Sequence, residues 1–294
     1  PFEEVVRAQI LAPLRMEGST FLQSEVSPEH ATTPHFGAPL VVLPGAYPYH
    51  RAHAPSSTLH ASVLGMAAWA RTALGHGEFQ GARILRPATW ERMWEEQART
   101  GEEGWNEAIA LGWFFGAYRG RRVISHGGSD PGFQAEFILV PDEDTAVVVL
   151  GNANTAAVWL TSDAVLDLLF GIEPQAPNVP VTVPVGATLA SEGLDAAVGV
   201  YHRLQAEQAD AFDFSPSPFF QATWGAIEMH RTEAVMPLLQ LWVTVQPEVS
   251  QAHEMLGWAH LVRGEHDEAR SSLQRALELD SENDQAARWL KKLV

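Results

Sequence analysis

The sequence predicts a mixed fold: an α/β (α+β) domain built on an antiparallel sheet with flanking helices, followed by an all-α domain. Three observations carry that expectation. Between residues 110 and 152 the apolar pattern takes a period of two in four short runs joined by turn residues, as antiparallel strands require. On either side, LHASVLGMAAWARTAL and TAAVWLTSDAVLDLLF carry apolar residues at helical spacing. Beyond residue 187 every periodic segment reads as helix.

The elements follow in order. PFEEVVRAQILAPLRM opens the chain with Phe2, Val5, Val6 and Ile10 on one helical face, and Pro13 ends the run. Residues 17–57 are rich in Pro, His and Ser without sustained periodicity and read as loop. A helix is expected over residues 59–74 with its stop at Gly75, and a second at RPATWERMWEEQ with Pro87 in its first turn. ALGWFFGAYRG, RRVISHGG, GFQAEFILVP and TAVVVLGN are the four strands. Turns at Arg119-Gly120 and at Pro141-Asp142-Glu143-Asp144 make them a meander. TAVVVL, apolar at nearly every position, fits a central strand covered on both faces. TAAVWLTSDAVLDLLF then packs on the sheet as a helix. PQAPNVPVTVPVG, residues 174–186, holds four prolines and reads as a linker. The expected boundaries are 1–172 for the sheet domain, 173–187 for the linker and 188–294 for the helical domain.

Composition narrows the function classes. A chain of 294 residues with 46% hydrophobic content is long enough for roughly two domains with sizeable cores. The net charge of −17 repels phosphate backbones and anionic lipid surfaces, so nucleic acid is not an expected partner. There is no cysteine, hence no disulfide framework, no thiolate nucleophile and no thiolate metal site. No apolar run approaches the ~20 residues of a membrane span, and no signal peptide is visible. The only lysines are Lys291 and Lys292.

Within the helical territory, residues 250–281 place Leu256-Gly257, His260, Gly264, Ala269, Leu273, Ala276 and Ser281 at the small and large packing positions of a 34-residue helical repeat. A shift back by 34 gives a degenerate copy at Ala222, Thr223, Ala226, Val235, Leu239, Trp242 and Pro247. The pattern resembles a tetratricopeptide repeat, with helices at about 188–207 and 283–293 as caps. The resemblance implies that the first helix of the unit lines a groove, with Gln251, Glu254, Trp258, Leu261 and Val262 on that face, and that the segment binds a peptide or protein partner or packs on the sheet domain. Of these, Trp258, Leu261 and Glu254 are the candidate partner-binding residues.

The chemistry rests on VISHGGSDPGFQAEFILVPDEDTAVVVLGNAN, residues 123–154. HGG alone is a weak signal, because glycines at a strand end usually mark a turn or bulge. In order with the opening helix and the helix pair over residues 59–97, however, the run resembles the C-terminal half of the serine β-lactamase-like superfamily, over roughly residues 1–170. That group holds class C β-lactamases, D-amino-acid and D-alanyl peptidases and small-ester hydrolases. The resemblance implies a partial β-lactamase/transpeptidase-like fold in which HGG stands in place of a Lys-Thr-Gly strand along the active site. His126 would face the cleft as a donor or proton-transfer partner, Gly127 and Gly128 would leave room for substrate, and the backbone N–H of Ser129 would supply half of an oxyanion hole. No cofactor is implied, and export to the periplasm or secretion follows from the resemblance alone.

The family's nucleophile motif, Ser-x-x-Lys, cannot be written in a chain whose lysines are Lys291 and Lys292. Its Tyr-x-Asn-like partner is missing too: Tyr47, Tyr49, Tyr118 and Tyr201 are not followed two residues later by Asn or Ser. Both motifs precede the opening helix in the family, so the expectation is the C-terminal portion of a serine hydrolase acting on an ester, a β-lactam or a D-amino-acid amide, inactive alone. The alternative is a non-catalytic relative whose repeats carry the function. His50 and His53, with His30, His35 and His60 nearby, lack a third metal ligand at a characteristic spacing. A triad of Ser125 or Ser129 with His126 and Asp130 is disfavoured because near neighbours on a strand point to opposite faces or fail to converge. Glu102-Glu103 and Asp142-Glu143-Asp144 read as solvated turns, and Trp90, Trp94, Trp105 and Trp113 as core or rim packing.

Overall fold

Period-two patterning becomes a single sheet in the computed structural model, which describes residues 1–36, 41–42, 47, 49–101, 104–153, 158–175, 178–228 and 231–293. Glu102-Glu103 lie outside the described residues. The chain divides into two units, Pro1–His35 with Pro44–Ala176, and Phe36–Leu43 with Pro177–Val294.

In the first unit, strands Ala98–Arg99 (β1), Ala108–Ile109 (β2), Phe114–Tyr118 (β3), Arg121–Asp130 (β4), Phe133–Val140 (β5) and Thr145–Gly151 (β6) pair antiparallel, each beside its neighbour in sequence. β1 and β2 go beyond the four expected strands; at two residues each they are too short to show a period. The β3–β4 turn is tight because Arg119 and Gly120 both take positive φ, 50° and 76°, which matches the twist of a hairpin. A 3-10 turn at Pro141–Glu143 and a left-handed Asp144 (φ 45°) close the β5–β6 hairpin, with all three acidic side chains exposed.

TAVVVL is corrected in one respect. β6 ends the described sheet rather than lying at its centre. Its apolar run is explained by cover from two helices, Val63–Leu74 (α2) and Val158–Leu169 (α4), both packed against β6. Directly opposed residues of antiparallel strands share a face. Ile124, Phe137 and Leu139 therefore pack with Ala70, Ala73, Trp90 and Trp113 on one side of the sheet. Val123, Ile138, Val140 and Val147 pack with Leu166 of α4 on the other.

The opening helix, Phe2–Val6 (α1), runs on as a π turn over Arg7–Leu11. α2 starts later than its periodicity suggests, because Ser62 caps it by accepting the Gly65 N–H at 3.2 Å. Pro87–Met93 (α3) begins on its proline, as expected. The indole of Trp90 is fully buried and meets Trp69 and Trp94 edge-on.

Among the described residues of the second unit lie Thr182–Glu192 (α5), Leu194–Glu207 (α6), Ser217–Glu228 (α7), Thr232–Val245 (α8), Ser250–Val262 (α9), His266–Leu279 (α10) and Asp284–Lys291 (α11). The linker expectation over 173–187 is corrected at its C-terminal end, since α5 starts inside it. Pro184 falls in the first turn, where no intrahelical N–H is needed, and Val181 and Val185 are fully buried. The single helix expected at 188–207 is two, broken at Gly193 with φ 89°. Thr223, Ala226, Val235, Leu239 and Trp242 are buried in one copy of the repeat, and Leu256, Ala269, Leu273 and Ala276 in the next. Gly257 is required by packing: a Cβ there would lie 2.6 Å from Leu273 Cγ. Among the described residues, no helix is long and apolar enough to cross a membrane.

Candidate active site

β4 is ten residues long, but its two neighbours use different parts of it. β3 pairs with Arg121–Ser125, whereas β5 pairs with Ile124–Asp130. From His126 to Asp130, the edge facing away from β5 has no strand partner among the described residues. His126, Gly127, Gly128 and Ser129 are all exposed. This half-strand keeps its conformation from β5 alone and presents backbone polar groups on its other side.

The two glycines serve different ends. A Cβ at Gly128 would meet nothing nearer than the Ala135 methyl at 4.0 Å, so its absence leaves room above the strand. A Cβ at Gly127 would sit 3.1 Å from Glu136 Oε2 on the opposite side of the sheet. His126 shares its face with Gly128, Asp130 and Phe137, and its ring lies 5.8 Å from that of Phe114. Ser129 points to the other face. Strand alternation thus keeps its hydroxyl away from His126, and only its backbone N–H remains available to the edge.

Around the end of β4 the residues of the His-rich loop gather. Asp130 accepts a hydrogen bond from Ser57 and lies near His53; burial pushes its carboxyl above the usual range, partly offset by those two groups. Its cross-strand partner Phe133 meets the Tyr47 ring edge-on at 5.6 Å, and Tyr47 stacks on His60 at 5.9 Å with 4° between planes. His50 Nδ1 accepts the Ala52 N–H at 3.2 Å as a cap. Among the described residues no three His, Cys, Asp or Glu side chains converge as a metal site.

Behind the strand, Glu136 faces α4. Burial, with the Asp163 charge added, pushes its carboxyl up to about 7. Asp163 is raised by burial and by Asp167. Asp167 itself is lowered, because Arg119 holds both its oxygens at 3.1 Å and Tyr118 donates at 3.0 Å. Sequence reasoning passed over Glu136, although a carboxyl on the same face as Ile138 and Val140 was a visible signal.

The Beta-lactamase profile matches residues 1–170, more than half of the chain. The chain belongs to the β-lactamase family. The chain shares its fold in part with a penicillin-binding protein homologue from Pyrococcus abyssi, described as octameric, at 21% identity and TM-score 0.50, over 65% of this chain and 42% of that one. A second likeness is to the D-amino acid amidase of Ochrobactrum anthropi SV3, solved with L-phenylalanine amide, at 18% identity and TM-score 0.50, over 58% of this chain and 51% of that one. The chain therefore spans about half, or less, of the length of these β-lactamase-family structures. A Tetratricopeptide repeat profile matches residues 250–283. Among curated proteins nothing matches.

In the tetratricopeptide repeat, Glu254, Trp258 and Leu261 are all half-buried on α9, while Gln251 and Val262 are exposed. Trp258 packs against the core that contains Leu239, Trp242 and Leu256. Burial raises the Glu254 carboxyl. Gln246 braces the layer beneath, accepting from the Trp242 indole at 2.9 Å and donating to the Phe214 carbonyl at 2.6 Å.

Proposed function

We propose that the open half of β4 is one wall of an acyl-transfer site, in which a serine attacks an ester, a β-lactam or a D-amino-acid amide and water then releases the acyl group. The observation that carries this reading is the unpaired edge from His126 to Asp130, with Gly128 clearing the space above it. An extended acyl chain can lie along that edge. The Ser129 N–H donates to the carbonyl oxygen as it gains charge, and His126 donates to substrate or moves the proton. Gly127 supports the strand against Glu136, and Gly128 admits the substrate. The nucleophile is supplied from outside this sequence, which contains no Ser-x-x-Lys. The tetratricopeptide repeat gives the chain a protein-binding element, with Glu254, Trp258 and Leu261 as its contact residues.

The test has two arms. The chain as given forms no adduct with a fluorophosphonate probe or a labelled penicillin, read by intact mass. In a longer parent that carries Ser-x-x-Lys, His126→Ala lowers kcat/KM by roughly 10- to 1000-fold, the range for one active-site donor or proton-transfer group. Ser129→Ala, which keeps the backbone N–H, changes it little. A stoichiometric adduct on this chain, or equal small losses in both variants, overturns the reading.

A further inference from the structure

The end of β4 carries an anionic group that the acyl-transfer reading leaves unused. Asp130 lies on the same face as His126 and Gly128, in the order His126, Gly128, Asp130 along the strand. Its described neighbours are the Ser57 hydroxyl and His53, and no ion pair to Arg or Lys is formed by Asp130 among the described residues. Beside it three rings pack together: Phe133, directly across the hairpin, then Tyr47 and His60. All three are half-buried. A carboxylate without a permanent countercharge, next to aromatic faces, is the arrangement that attracts an organic cation through a charge-assisted hydrogen bond and ring quadrupoles together.

Resting on the reading of β4 as an acyl-binding edge, we infer that Asp130, with Tyr47 and Phe133, is a specificity subsite for a primary ammonium group on the acyl part of the substrate. The spacing fits a short aliphatic connection. Asp130 lies one residue, roughly 3.3 Å, beyond the Ser129 N–H along the strand. A carbonyl held by that N–H is then spanned to an ammonium at Asp130 by about three carbons. The exposed backbone of Gly128 leaves the path between them open. Ser57 orients the carboxylate without neutralising it, so the charge is kept for the ligand.

The experiment uses the chain as it stands, isotopically labelled, with backbone amide shifts read during titration with 4-aminobutanamide, butanamide and butylamine. 4-Aminobutanamide is expected to shift the Gly128, Ser129 and Asp130 amides with an affinity roughly tenfold higher than butanamide at the same amides. Asp130→Asn removes that preference and leaves butanamide binding unchanged, while Asp130→Glu retains part of it. An otherwise superimposable spectrum shows that the variants are folded. Equal affinities for the two amides overturn the ammonium subsite and leave the acyl edge standing. If no amide ligand moves Gly128 or Ser129, the edge reading fails and this proposal with it, even where butylamine still moves Asp130.

Discussion

Glu136 is a carboxyl at a position where the strand pattern places aliphatic side chains. Its face of β5 continues into Ile138 and Val140, and the charge that acts on it from α4 is acidic, Asp163, itself beside Asp167 and its Arg119 partner. A carboxyl raised to about 7 binds its proton more tightly in the fold than in the unfolded chain, where about 4.5 is usual. Between those values the folded state holds more protons, so stability falls as pH rises through that window. Glu136→Gln is therefore expected to raise the Tm of the first unit at pH 8 and to leave it nearly unchanged at pH 5. Thermal melts of both proteins at the two pH values check this, and an equal shift at both would refute it. The strand that carries His126 and Ser129 could be read from the sequence because its period-two pattern is local. The surroundings of Glu136 and Asp130 could not, since each is set by a group from elsewhere in the chain, Asp163 of α4 for the one and a loop more than seventy residues earlier for the other.

At the scale of elements, two glycines on helices make a controlled comparison. Gly257 on α9 faces Leu273 of α10, and a Cβ there would also come 3.2 Å from the Ala269 carbonyl. Overpacking of this kind costs about 1–3 kcal/mol, and the better helix propensity of alanine offsets about 1 kcal/mol. Gly257→Ala is expected to destabilise the repeat by about 1–2 kcal/mol. Gly199 on α6 has nothing within 4 Å of its Cβ position, so Gly199→Ala is expected to stabilise by about 0.5–1 kcal/mol. Urea midpoints followed by the helical signal give both signs. Long, strongly periodic elements were readable in advance: β4, β5, α4, α9 and α10 form where the pattern put them, and α2 forms with a later start set by its Ser62 cap. Short ones were not, as β1 and β2 show, and the prolines of 174–186 concealed α5 because a proline in a first turn looks like a loop residue until the following helix is seen.

At the scale of the molecule, the division after Ala176 predicts that residues 178–294 fold on their own. The piece should show a helical spectrum and a single cooperative melt. The order of the sheet has a kinetic consequence of its own. Because β1 to β6 lie side by side in the sequence in which they are synthesised, each strand closes only a short loop to meet its partner. Such a sheet can zip from hairpin to hairpin as the chain emerges, with low contact order, and the slow event is left to α2, which precedes β1 in the chain and must find β6 past the whole meander.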